Sequence, residues 1–303
     1  MLETQTSQAE VFTVSPNEVG SIDVNATSSN VQIVSSDKDV ISIQWKDGNV
    51  VLEGDKLILD SKAGNSSAGR TGDNLLIEIP TNHRLYEIQV VTSSGDLELN
   101  GIDLNKFSFS AFINGNASIS NTNLDNLEIN LIVGNVSFNN VAFESGDINT
   151  ASGDINFRNT NFNNGTINTV AGDIKFNGVD FGLANINSAA GDIEMDRVNF
   201  ESADMNNASG DIEIENTNFT SAMMNTATGD IDLKGIIFNE LQLNTFSGEM
   251  SVRTELESFA VTSSNTNTHM NTACGINNGH NNNSLHFNSS LGRRIRINGK
   301  RFS

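Results

Sequence analysis

Nine glycines set the register of this sequence: Gly95, Gly115, Gly134, Gly153, Gly172, Gly191, Gly210, Gly229 and Gly248. The first step is 20 residues and every later step is 19. A fixed period sustained over that many marks means stacked copies of one supersecondary unit, each too small to bury its apolar face alone.

Columns appear when each glycine is called position zero. Position two is apolar throughout, from Leu97 through Ile155, Ile174, Ile193, Ile212 and Ile231 to Met250. Position four repeats this with Leu99, Ile119, Phe138, Phe157, Phe176, Met195, Ile214, Leu233 and Val252. Position nine becomes an unbroken phenylalanine series from Phe143 to Phe238, and position fourteen carries Phe109, Ile129, Ile148, Ile167, Ile186, Met205, Met224 and Leu243. Apolar residues two apart, alternating with polar ones, mark strands with one buried face and exclude a helical period. Pairs near two/four, seven/nine and twelve/fourteen predict three strands per coil, with small residues and the glycine closing a tight fourth corner. The fold class expected is all-β: a single-stranded parallel β-solenoid (β-helix) with 19-20-residue turns and β-rich caps. Right-handed coiling is expected from the usual hand of parallel crossovers. The phenylalanine column reads as core.

The expected organisation has three parts. Residues 1–92 hold strands of another spacing (VFTV, SIDV, VQIV, ISIQW, KLILD, NLLIEIP, YEIQVV) and read as an N-terminal β-cap merging into the first turns, with a loop at Ser61–Asp73. Residues 93–253 are the regular solenoid. In residues 254–303 the register slips, with Phe259 and Val261 one position early. There Ser263–Ser284 is Asn- and Thr-rich, and LHFNSSLGRRIRINGK reads as a closing turn.

Two polar columns invite a functional reading. Position fifteen is Asn130, Asn149, Asn168, Asn187, Asn206, Asn225 and Asn244. An unbroken amide column beside a buried position predicts a structural ladder bonded along the stack. Position one is Asp96, Asn116, Asn135, Asp154, Asp173, Asp192, Asp211, Asp230 and Glu249. Carboxylates about 4.8 Å apart repel by roughly 1 kcal/mol per pair in water, so the column needs a reason. Either each Asp accepts backbone N–H groups in its turn, or Asp154, Asp173, Asp192, Asp211 and Asp230 form a cation or ligand face, calcium being the candidate. The nine-residue calcium-roll motif is absent.

Other chemistry finds little footing. Glycoside cleavage needs a pair of acids in a defined arrangement, whereas Glu194, Glu213 and Asp232 repeat with the Asp column and read as a solvated charged wall. His269, Cys274, His280 and His286 match no zinc spacing, and a Cys–His nucleophile lacks a third orienting group. No catalytic residue is therefore assigned, and no cofactor other than calcium is considered. A net charge of −20 argues against nucleic acid as a partner. Arg293, Arg294, Arg296, Lys300 and Arg301 make a basic tail suited to an acidic polymer or to a solvated end strand. The opening MLETQTSQAEVF has no basic-then-apolar leader and no stretch reaches the roughly 20 apolar residues of a membrane span. The expectation is a soluble chain with neither signal peptide nor transmembrane segment. One cysteine allows no intrachain disulfide.

The series SIDVNATSSNVQIVSSDKDVISIQW, LLIEIP and VTSSGDLEL, followed by recurrent ASGDI-type turns, resembles the bacterial putative-adhesin domain family. This β-solenoid domain of unknown function also forms the C-terminal part of LiaX-type envelope-stress proteins. The resemblance runs from about residue 11 to the end. It implies a β-solenoid at or near the cell envelope, in adhesion or stress sensing, and supplies no catalytic residues. The functional expectation is thus a non-enzymatic surface or interaction β-solenoid binding a cell-surface glycan, wall polymer or protein partner. A carbohydrate-active β-helix enzyme and an intracellular, cytoplasmic scaffold are the alternatives.

Overall fold

Alternation turns the repeat into a coil whose side chains point in and out by rule, and the coil from Ile174 to Ala190 shows it. Ile174, Phe176, Val179, Phe181, Ala184, Ile186 and Ser188 are buried, while the residues between them are not. This computed structural model describes residues 11–46, 48–62, 74–254, 260–263, 284–289, 295–297 and 300–302. They fall in two compact units, Met1–Ser145 and Gly146–Ser303. Both are built from parallel β-solenoid coils, as the period requires, and the described residues hold no α-helix.

In the second unit, successive coils pair in parallel at a constant offset of 19: Ile174 with Ile193, Phe181 with Phe200, Asn187 with Asn206. The same offset carries Ile193–Ser209 onto Asn218–Thr228, and those residues onto Ile231–Ser247. In Ile174–Ala190, Ile193–Ser209 and Ile231–Ser247 the three expected strands are one bent strand, while a break at position six parts Ile155–Arg158 from Asn161–Ala171 and Ile212–Glu215 from Asn218–Thr228. Backbone N–H and C=O groups point along the stack axis, so pairing with the coils above and below continues round the bends. Each bend falls where two neighbouring residues both face outward. At position six the bend is left-handed: Asn159, Arg197 and Asn216 have φ of 47°, 54° and 51°, and Gly178 and Gly235 have 63° and 61°. Asn and Gly adopt this region at the least cost.

The core is a set of columns. Phe162, Phe181 and Phe200 stack with ring centroids 5.0 and 4.8 Å apart and planes within 6°; Phe200 and Phe219 follow at 4.8 Å and 3°. The separation equals the inter-coil step, so the rings stack offset down the axis, a favoured aromatic geometry. Position sixteen is polar yet buried, and some of its groups reach the glycine corner: Thr169 Oγ1 donates to Gly153 O at 3.5 Å and Asn207 Nδ2 to Gly191 O at 2.8 Å. Burial without those bonds would cost about 1–3 kcal/mol each.

The first unit departs from chain order. Strand β1 is Val11–Val14, β2 Ser21–Ala26, β3 Asn30–Ser36, β4 Ile41–Gln44, β5 Gly48–Glu53, β6 Lys56–Ser61, β7 Asn74–Pro80, β8 Leu85–Ser94 and β9 Leu97–Asn100. β2 lies between β6 and β8, and β3 between β7 and β9, all parallel. The coil that starts the stack in sequence is therefore covered by one made later. β4 adds antiparallel to β7, β1 to β4, and β5 to β6. Those antiparallel strands cover the end that a parallel stack would leave open. β5 is absent from the strands expected of the sequence. Its marker is the two-residue turn Gly54–Asp55, with Gly54 at φ 67°.

The far end repeats the device. Ser284–Ser289 pairs with Ile231–Ser247 on one side and with Ala260–Ser263 on the other. The slipped register after Val252 follows from this: Val261 stands opposite Leu285, one coil further out than the coil Met250–Thr254 begins. Phe259 and most of the Ser61–Asp73 and Ser263–Ser284 loops lie outside the described residues.

The glycine corner is the tightest point. A Cβ on Gly172, whose φ is 143°, would lie 2.2 Å from the carbonyl oxygen of Gly153, and one on Gly191 would lie 2.1 Å from that of Gly172. Backbone meets backbone here, with no flexible side chain to give way. Gly178, at φ 63°, would bring its Cβ no nearer than 3.1 Å, to an Asn159 side-chain oxygen. Gly172→Ala is expected to lower stability by about 3 kcal/mol or more and Gly178→Ala by about 1 kcal/mol, measured by urea unfolding. Equal losses would contradict the contact described.

Candidate functional site

Two outward faces of the second unit carry its polar chemistry. The first follows the glycine corner and comprises positions one, three and five. The position-one aspartates stand in line, and each reaches the next coil. Asp154 Oδ1 accepts the backbone N–H of Asp173 at 3.0 Å, Asp173 Oδ1 that of Asp192 at 3.0 Å, Asp192 Oδ1 that of Asp211 at 2.8 Å, and Asp211 Oδ1 that of Asp230 at 2.7 Å. Asp230 Oδ1 takes Glu249 N–H at 2.7 Å. These amides point away from the ladder that joins Gly153 N–H to Ala171 O and Ile155 N–H to Asp173 O. The carboxylates complete the backbone pairing at the corner.

The first unit shows what that position requires. Asn30 Oδ1 accepts Asp96 N–H at 3.0 Å, Asp96 Oδ1 accepts Asn116 N–H at 2.8 Å, and Asn116 Oδ1 accepts Asn135 N–H at 2.9 Å. Amide and carboxylate oxygens serve alike, so an acceptor is needed and a charge is not. The donors come from the neighbouring coil, 19 or 20 residues on except at Asn30, whose donor Asp96 lies 66 residues on.

Positions three and five supply the charge balance. Lys175 Nζ lies 3.3 Å from Asp173 Oδ2 and 3.0 Å from Glu194 Oε1; Lys234 Nζ lies 3.0 Å from Asp232 Oδ2 and 3.1 Å from Glu215 Oε1. Both ammonium groups are held above the ordinary lysine range, Lys175 chiefly by its hydrogen bond to Glu194 and Lys234 by that to Asp232. Glu213, in a coil between those of the two lysines, is pushed up by partial burial and then by Glu194, Asp211 and Asp232, against the pull of Lys234. A recess of about 490 Å³ opens here, lined by Arg158, Lys175, Glu194, Asp196, Glu213 and Glu215 among others. Among the described residues, no three His, Cys, Asp or Glu side chains gather as a metal-binding group.

The asparagines of position fifteen bond to one another. Asn168 Nδ2 donates to Asn149 Oδ1 at 2.8 Å, Asn187 to Asn168 at 2.8 Å, Asn206 to Asn187 at 3.0 Å, Asn225 to Asn206 at 2.8 Å and Asn244 to Asn225 at 2.6 Å. In the first unit Asn130 Nδ2 donates to Glu128 Oε1 at 2.9 Å.

The second face, at positions eight and ten, was not singled out by sequence reasoning. It is a groove of about 590 Å³ lined on one side by Asn161, Asp180, Asn199 and Asn218. On the other stand Asn163, Gly182, Glu201 and Thr220, with the phenylalanine column between and Ile237 at one end. Asn199 Nδ2 donates to Asp180 Oδ1 at 2.7 Å and Asn218 Nδ2 to Asn199 Oδ1 at 3.2 Å. Its sequence signal was the recurrence of Asn or Asp one residue before Phe162, Phe181, Phe200 and Phe219. His269, Cys274 and His280 lie outside the described residues, as do the side chains of the basic tail. His286 stands in Ser284–Ser289, opposite Gln242 and Thr262.

A family model described as Toastrack DUF4097 matches residues 19–181 and again 166–275. The chain belongs to this family. The resemblance to the bacterial putative-adhesin domains holds with it. No curated protein matches the chain. Among solved structures it is similar to a putative adhesin from Bacteroides fragilis, at 16% identity over 82% of this chain and 98% of that one, with a TM-score of 0.43. It is also similar to a putative lipid binding protein from Parabacteroides distasonis, at 13% identity over 96% and 97%, with a TM-score of 0.37. A putative adhesin from the same species matches at 13% over 96% and 98%, with a TM-score of 0.38. Among the described residues no helix is long and apolar enough to cross a membrane.

Removing the acceptor and removing the charge at the corner should separate cleanly. Asp192→Ala is expected to cost about 1–2 kcal/mol, because Asp211 N–H loses its partner. Asp192→Asn keeps an oxygen acceptor and relieves repulsion from Asp173 and Asp211, so its Tm should equal or exceed that of the parent. Thermal melts at neutral pH check both, and an Asn variant as unstable as the Ala variant would show that the charge itself is needed.

Proposed function

We propose that this Toastrack chain is a non-catalytic interaction module of the bacterial envelope, presenting coil-periodic faces to a polymeric or protein partner. The observation that carries this reading is the engagement of the acids. Each position-one aspartate from Asp154 to Asp230 accepts a backbone N–H of the next coil. Acid–base cleavage of a glycan works instead through two carboxyls whose environments differ. At position one the carboxyls repeat theirs coil after coil, so no acid of that column is set apart from its neighbours. The same bonds favour turn chemistry over a calcium ladder, since Asn116 fills the position equally well. Family membership supports an envelope setting.

The test is labelled full chain added to intact bacteria and to purified cell-wall polymers, beside an assay for shortening of the same polymers. Saturable binding with no cleavage is the expected result, and it should be the same with millimolar Ca²⁺ as with a chelator. Polymer cleavage abolished by neutralising one acid, or no binding to cells, walls or wall proteins, would overturn the reading.

A further inference from the structure

The groove at positions eight and ten differs in its chemistry from the corner face of the second unit. The lining holds no Lys, Arg or His and only two acids, Asp180 and Glu201, in a chain of net charge −20. The recess on the corner face mixes both signs at close quarters. The groove instead presents amides and a hydroxyl, with Asn161, Asn199 and Asn218 on one rim and Thr220 on the other. Its rims repeat every 19 residues and so step along the stack by one inter-coil distance. We propose that this groove binds an extended, uncharged polysaccharide lying along the stack axis. The inference rests on the interaction-module reading and gives it a ligand class.

Three properties select that class. First, amide and carboxylate side chains pair with hydroxyls as both donors and acceptors. An amide has two N–H donors, so a ladder that uses one of them on the next coil retains capacity for a ligand. Second, the charges exclude the alternatives. A polyanion such as teichoic acid or nucleic acid would meet Asp180 and Glu201 with no cation in the lining to offset them, and like charges brought together in a groove cost affinity. A polycation would find far more charge on the Asp column face. Third, the backbone of the floor is spent. The strands under the groove pair in parallel with the coils on either side, Phe181 with both Phe162 and Phe200. An extended peptide could not add main-chain hydrogen bonds there, which is how such peptides gain affinity on a sheet. A sugar ring in an extended chain advances by about one coil step, so successive rings would meet the same pair of rims. Ile237, 41% exposed, closes one end with an apolar surface suited to the C–H face of a ring.

Calorimetric titration of the full chain with cellohexaose, mannohexaose, xylohexaose and chitohexaose, against hexagalacturonate and an extended hexapeptide, tests this directly. At least one neutral hexasaccharide should bind, and the uronate and the peptide should not. Glu201→Arg and Thr220→Trp change exposed side chains on the groove rim and should weaken that binding by about tenfold or more with Tm unchanged. Lys175→Gln, on the other face, should leave it intact. Binding by none of the neutral sugars, equal binding of the uronate or peptide, or neutral binding insensitive to the groove variants would overturn the assignment. Retained binding to whole cell walls in the groove variants would show that the interaction module stands and the groove is not its site.

Discussion

The contact between glycine corners is what the rest of the structure depends on. Gly172 passes so close to the carbonyl of Gly153 that a Cβ would stand 2.2 Å from it, and Gly191 repeats the contact on Gly172. That approach lets successive coils stack at strand spacing on the one side where the chain turns without a pleated face. Once the corners are in register, every other position is in register too. The phenylalanine rings stack, the asparagine amides bond in line, and each aspartate oxygen meets the next coil's N–H. Side-chain alternation has a period of two, so one residue of slippage would turn the whole inward set outward. The glycines therefore specify the fold well beyond their own contacts.

Much of this was legible in the sequence because the repeat states the same sentence many times. Ile174, Ile193, Ile212 and Ile231 identify an inward position more surely than any one of them could. What escaped the reading lacked repetition or broke chain order. β5 occurs once, and its marker is a two-residue turn at Gly54–Asp55. The placing of β2 and β3 beneath later strands has no local signal, since parallel neighbours are chosen by packing and not by adjacency in sequence. The interleaved far end, where Ser284–Ser289 takes the place next to Ile231–Ser247, is hidden for the same reason. Position six was visible as Asn or Gly in nearly every coil, with Arg197 and Thr254 the exceptions.

The candidate sites divide along similar lines. The Asp column was easy to see and harder to interpret, because a carboxylate every 19 residues suggests a cation as readily as a turn. Asn30 and Asn116, which do the same work without charge in the first unit, favour the turn. The groove was harder to see. Its residues are ordinary Asn, Asp and Thr, and their meaning lies in what stands beside them in neighbouring coils. Function in such a fold is a property of columns, so a single substitution should weaken a face where it would abolish a catalytic site.

The most direct measurement of this account is a pair of deletions. Removing residues 173–191 takes out one full coil and joins Gly172 to Asp192 with every column preserved. Removing one residue fewer shifts each later coil by one place. The first variant should fold cooperatively, with the far-ultraviolet spectrum of the parent and a similar Tm. The second should lose its cooperative transition or aggregate. Equal tolerance of the two deletions would contradict a stack held in register by its corners.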